Sequence, residues 1–88
     1  MYSLEIKPDM DKILTKIKKR NPKELEIIFK KVDQILENPY HFKPLKNEYH
    51  GTRRVHVNKS FVLIYEIDDE KQKIILLDYD HHDNIYEK

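Results

Sequence analysis

Two histidines, an arginine and a few lysines are the side chains of this sequence best suited to chemistry. His56 follows Arg54 by two residues, and His82 comes directly after His81, four residues before Tyr86. Histidine exchanges protons near neutral pH, and arginine or lysine can neutralise a phosphate. These types suit cleavage of RNA, whose own 2′-OH is the nucleophile. A protein that aligns that hydroxyl, stabilises the extra charge on the phosphorane and protonates the leaving 5′-oxygen needs no metal. His56 or His82 would carry the proton, Arg54 and Lys46 would face the phosphate, and Tyr86 would stack on a splayed base. In the competing structural reading His82 ends a strand and Tyr86 packs on the core rim.

A metal site is the rival chemistry. Asp78, Asp80, His81, His82 and Asp83 hold enough ligand atoms for a divalent ion, and His56 could join them across a sheet. Strand alternation, however, sends His81 and His82 to opposite sides, and the helical His-x-x-x-His spacing that presents two imidazoles together is missing. Neither a metal nor a cofactor is expected.

The elements that must position these residues can be read from periodicity. Tyr2 to Lys7 alternates, with Tyr2, Leu4 and Ile6 on one side, the pattern of a half-buried strand ended by Pro8. Met10, Ile13, Leu14 and Ile17 then recur at helical spacing, with Lys12, Lys16, Lys18 and Lys19 between them. Asn21-Pro22 restarts a helix, with Glu24 placed to complete a capping box and an apolar stripe of Leu25, Ile28, Phe29, Val32, Ile35 and Leu36. Asn38-Pro39 stops it. Residues 40–50 have no period and read as a surface connection in which Phe42 and Leu45 plug the core edge and Lys43 and Lys46 stand beside whatever the sheet carries.

Gly51, the only glycine, suits a turn with positive φ. Beyond it, Thr52 to Val57 alternates, with Arg54 and His56 opposite Val55 and Val57. If the valines face the helices, Arg54 and His56 stand on the open face and Arg53 does not. Phe61 to Ile67 is apolar on both faces and so central, and Lys73 to Tyr79 forms the last long strand. The predicted fold class is α+β, ordered β-α-α-β-β-β, with two antiparallel helices on one face of a small, largely antiparallel twisted sheet.

Composition bounds the rest. Eighty-eight residues make one domain, 1–88, that buries about 60 to 65% of its unfolded surface. The absence of cysteine excludes disulfides and thiolate metal sites. No apolar run has signal or membrane-spanning length, so a cytoplasmic location and no membrane contact are expected. Net charge is +1, but residues 1–60 carry 14 of the 17 Lys+Arg and 8 of the 16 Asp+Glu, a net of +6, against −5 for residues 61–88. That asymmetry suits a basic surface for phosphates and an acidic one elsewhere.

Three segments, in order, resemble the RelE/ParE toxin superfamily, the small ribosome-directed endoribonucleases of toxin-antitoxin pairs. They are PLK at Pro44 to Lys46, GTRRVHV running into FVLIYEI at Gly51 to Ile67, and the closing DHHDNIY at Asp80 to Tyr86. The branch resembled most is the histidine-using one of the YafQ and YoeB toxins. Carried over, the resemblance gives His56 and His82 proton-transfer roles, makes Tyr86 the substrate-orienting aromatic and puts Arg54 at the first position of an Arg-x-Arg pair, His56 replacing the second. The chain departs from both branches. It reads Phe61-Val62 where the arginine-using branch has Tyr-Arg, Lys43 where YafQ-like members have a histidine, and Ser60 where they have an aspartate. The implied set is therefore mixed, leaning on Lys43, Lys46, Lys59 and Arg54 for substrate.

The resemblance implies a metal-independent ribonuclease that cuts mRNA in the ribosomal A site and is held inactive by a cognate antitoxin. The partner would be acidic and partly helical, and operator DNA would be met only through it. The alternative is a binding module of the same superfamily, either a ParE-like gyrase inhibitor or a degenerate toxin that only binds its antitoxin.

Overall fold

The computed structural model describes residues 2–45 and 51–86, with the side chain of Tyr86 outside that description. The chain runs β1 (Ser3–Ile6), α1 (Pro8–Arg20), α2 (Pro22–Glu37), β2 (Lys43–Pro44), β3 (Thr52–His56), β4 (Phe61–Asp68), β5 (Lys73–His81) and α3 (His82–Tyr86). The strands form one sheet in the order β1-β5-β4-β3-β2, antiparallel except where β1 pairs parallel to β5.

Both long helices begin with proline in the first turn, where its missing N–H costs nothing. α1 carries Asp9 and Asp11 in its first turn and Lys18, Lys19 and Arg20 in its last, matching the helix dipole at each end. Asn21 joins the helices. Its side chain accepts from the Glu24 N–H at 3.3 Å, whereas its own N–H donates to the Ile17 carbonyl at 2.7 Å. That N–H already closes α1, so the capping box expected at Asn21 and Glu24 is one-sided.

Met10, Leu14, Ile17, Ile28, Val32 and Ile35 pack onto Val55, Val57, Leu63, Tyr65, Ile74, Leu76 and Tyr79 to form the main core. Phe29, expected in the buried stripe, lies at its flank and is 37% exposed. β4 is the central strand, as its continuous apolar run requires, and Val62, Leu63, Ile64 and Tyr65 are all buried. Leu63 and Tyr65 face the helices; Val62 and Ile64 join Leu45, Leu77 and Ile85 in a second, smaller cluster on the other face. Phe42 supports the main core and Leu45 the smaller one.

Three features extend the predicted order. The connection after α2 contains the two-residue strand β2, in which Lys43 pairs with Arg54 and Pro44 with Arg53. The closing segment turns from strand to helix between His81 and His82. Between the pairs Ile64/Asp78 and Tyr65/Leu76 the register shifts by one residue, leaving Leu77 extra in β5. Such a bulge reverses the alternation beyond it. Ile74 and Leu76 face the helices on one side of the shift, and Tyr79 does so on the other. Gly51 has φ +88°, and a Cβ there would meet nothing within 4 Å, so its need for glycine is conformational.

Candidate functional site

Because the bulge at Leu77 reverses the phase of β5, His81 points with Tyr79 toward the helix side and His82 toward the other. The His81 ring meets the edge of Phe61 at 5.6 Å between centroids. His82 opens α3 with its N–H donating to the Ser60 carbonyl at 2.6 Å, and its ring lies 5.8 Å from that of His56. His56 reaches the same face from β3, directly opposite Val62.

Hydrogen bonds fix how the two imidazoles are held. Arg54 Nη1 lies 3.1 Å from His56 Nδ1. Guanidinium can only donate, so His56 Nδ1 is the acceptor, which places the proton of the neutral ring on Nε2. Burial first, then the positive Arg54 and the neighbouring His82, push the His56 pKa below the ordinary histidine range. His82 Nδ1 lies 3.2 Å from Asp83 Oδ1, where a carboxylate accepts the Nδ1 proton and orients the ring. The Asp83 N–H in turn donates to His81 Nδ1 at 3.1 Å.

Beside His56 a cleft of about 310 Å³ opens along β3. Lys31, His41, Lys43, Arg54 and His56 line it with Phe42 and Val55. Every ionisable side chain among these is basic, so the cleft suits a phosphate-bearing chain. Among the described residues, no three of His, Asp or Glu gather closely enough to hold a metal ion.

A family model described as "ParE toxin of type II toxin-antitoxin system, parDE" matches residues 2–86. The chain belongs to this ParE toxin family. It is 48% identical over 88 residues to RelE4 of Methanocaldococcus jannaschii, covering all of this chain and 94% of that one. The fold is similar to the RelBE2 toxin-antitoxin complex of Mycobacterium tuberculosis, with a TM-score of 0.77 and 25% identity over 92% of this chain and 98% of that one. It is also similar to the YoeB/ParE toxin of Agrobacterium tumefaciens, with a TM-score of 0.84 and 13% identity over 91% and 98%. The resemblance to the RelE/ParE superfamily and its α+β fold thus holds for the chain as a whole.

Within this ParE-family toxin, the sequence-predicted residues divide into three groups. His56, His82 and Arg54 come together on one face, and Lys43 borders the same cleft. Lys59 is exposed in the β3–β4 turn, next to the Ser60 that anchors His82. Lys46 and the Tyr86 side chain lie outside the described residues. Arg53 stands on the other side of β3, donating to the carbonyls of Phe42 at 2.6 Å and Tyr40 at 3.4 Å with its guanidinium 5.0 Å over the Tyr40 ring. Sequence reasoning passed over Asp83 as an orienting group, although its adjacency to His82 was visible. Lys31 had no such signal, because only the packing of α2 beside β3 brings it to the cleft, and His41 arrives with the connection that leads into β2.

Proposed function

We propose that this type II toxin is an endoribonuclease that cleaves mRNA in the ribosomal A site by attack of the RNA's own 2′-OH. The observation that supports this most is the pair His56 and His82, 5.8 Å apart on a face bordered by a wholly basic cleft. In-line attack needs a base at the 2′-OH and an acid at the leaving 5′-oxygen, one on each side of the phosphate. His56 is held neutral by its depressed pKa and is the base. Its acceptor nitrogen is capped by Arg54, so substrate binding draws Arg54 onto the phosphate and uncovers Nδ1 in the same movement. His82, oriented by Asp83, protonates the 5′-oxygen. Arg54, Lys43, Lys46 and Lys59 offset the phosphorane charge, and Tyr86 stacks on the displaced base. Since the nucleophile comes from the RNA, no step requires a metal.

The toxin is held inactive by an antitoxin, as the RelBE2 complex among its structural neighbours suggests by analogy. That partner is acidic and partly helical, and it carries any contact with operator DNA. The setting is cytoplasmic; no described helix is long and apolar enough to cross a membrane. The test is induction in a translating extract, with mapping of mRNA 5′ ends. Cuts inside codons of ribosome-bound mRNA, suppressed by the adjacent gene product, are expected. Intact mRNA with blocked supercoiling would favour instead a gyrase inhibitor, the reading suggested by the ParE family match and by Phe61-Val62 in place of Tyr-Arg.

A further inference from the structure

The two long helices cover the same face of the sheet but present different charge to solvent. On α1, Met10, Leu14 and Ile17 face the core, while the exposed Lys12, Lys16, Lys19 and Arg20 recur at i, i+4, i+7 and i+8. That spacing puts all four on the outward face of the helix, within about 12 Å along its axis at 1.5 Å per residue. From Lys12 to Lys23 the sequence has six Lys or Arg and no Asp or Glu. The outward face of α2 carries Lys23 and Lys30 but also Glu26, Asp33 and Glu37, all exposed, so its charges offset one another.

Among the described residues, the lysines in ion pairs are Lys7 and Lys73, both with Glu5, and no pair involves the α1 stripe. Its acidic neighbours are Asp9, one turn before Lys12, and Glu24, which shares a groove beside α1 with Lys16 and Arg20. Four cations against two carboxylates leave this face positive. A protein partner would need apolar or aromatic anchors, since the cores of protein interfaces are depleted of lysine. The large hydrophobic side chains exposed among the described residues are Ile27, Phe29 and Tyr40, and none of them is on α1. A row of point charges on flexible stems suits instead a nucleic-acid backbone, which is bound through its phosphates without apolar contact. The row lies on the helix side of the sheet, away from the His56–His82 face, so it would be a second contact and not an extension of the basic cleft.

We infer that the outward face of α1, through Lys12, Lys16, Lys19 and Arg20, docks on the phosphate backbone of a folded RNA duplex. The choice of RNA rests on the proposed cleavage of ribosome-bound mRNA, a setting in which double-helical RNA is at hand. The probe is a duplex of 2′-O-methyl RNA, which has no free 2′-OH and so stays intact whether or not the toxin is a ribonuclease. Its affinity for the full chain is followed by fluorescence anisotropy from about 50 to 300 mM salt. In the triple variant Lys12→Gln, Lys16→Gln and Lys19→Gln, the slope of log affinity against log salt should shrink by about two to three, one for each lost phosphate contact. Affinity at about 100 mM salt should fall at least roughly tenfold. A charge-matched control, Lys7→Gln with Lys30→Gln and Lys71→Gln, alters exposed positions off the stripe and should leave the slope within about one of the unaltered chain. Absence of mRNA cleavage would overturn the ribonuclease reading alone, because the duplex titration decides the stripe without it. An unchanged slope in the stripe variant, an equal loss in the control, or tighter binding to a DNA duplex of the same length would each overturn the assignment.

Discussion

At the scale of single residues, position relative to the bulge in β5 decides what each histidine can do. His82→Gln, which removes the proposed acid, should lower single-turnover cleavage by about 10²-fold or more. His81→Gln is the control. Its ring lies on the Phe61 side, so cleavage should change little. The reverse ranking in folded proteins would mean that the phase of the closing segment is wrong. Arg54→Ala should depress the rate, whereas Arg53→Ala should act on folding through the carbonyls of Phe42 and Tyr40. The core tyrosines give a matched pair for stability. Tyr65→Phe strands the Pro39 carbonyl and should cost about 1 to 2 kcal/mol, while Tyr79→Phe deletes a hydroxyl that lies near Glu24 and Asn58 but makes no close hydrogen bond among the described residues, and should cost less. In a domain of this size, 1 kcal/mol moves Tm by about 4 to 8 °C, so calorimetry separates the two.

At the scale of elements, three segments distant in sequence are tied at one end of the sheet by Asp69, in the β4–β5 hairpin. Tyr2, just before β1, donates to Asp69 Oδ1 at 2.6 Å, and Tyr40, just after α2, donates to Oδ2 of the same carboxylate. These bonds lower the Asp69 pKa and raise those of both tyrosines, Tyr40 to about 12. The signs fix the pH window. A depressed carboxylate contributes stability above its unfolded pKa and loses it as pH falls through the folded value. A raised phenol contributes below about pH 10 and loses that as pH rises through its folded pKa. The tie should therefore be intact across neutral pH and weaken at both extremes. Asp69→Asn should flatten the acid limb of a Tm-against-pH curve; an unchanged acid limb would mean that the tie is not formed in solution. His56 adds a slope of the same sign as Asp69, at higher pH. Its depressed pKa makes folding less favourable as pH falls through the ordinary histidine range toward the lower folded value, so His56→Gln should gain relative stability near pH 5.

At the scale of the whole molecule, the order of elements and the centrality of β4 were legible because periodicity is a local property: apolar spacing marked both helices, and an uninterrupted apolar run marked the strand buried on both faces. The meeting of Arg54, His56 and His82 was legible only through resemblance, because strict alternation from Ile74 onward would put His82 on the helix side. The extra residue at Leu77 corrects that, and nothing in KIILLDYD marks where it falls. Lys31 was hidden because tertiary packing alone unites α2 with β3, and His41 because the connection into the two-residue strand β2 that carries it there has no period to read. Charge asymmetry, by contrast, is present in the sequence and survives folding. The cleft is basic, while Asp68, Asp69 and Glu70 cluster in the hairpin at the tied end of the sheet. An antitoxin that covers the cleft is therefore predicted to be acidic over its contacting segment, and screening should act mainly on its rate of association. Raising salt from about 50 to 500 mM should slow association by roughly tenfold or more, with a smaller change in dissociation. Lys31→Glu, a reversal within the cleft, should reduce that salt dependence along with the association rate. Stopped-flow association kinetics measure both, and a rate flat across that range, or a partner basic over its contacting segment, would remove the basic cleft as the docking face.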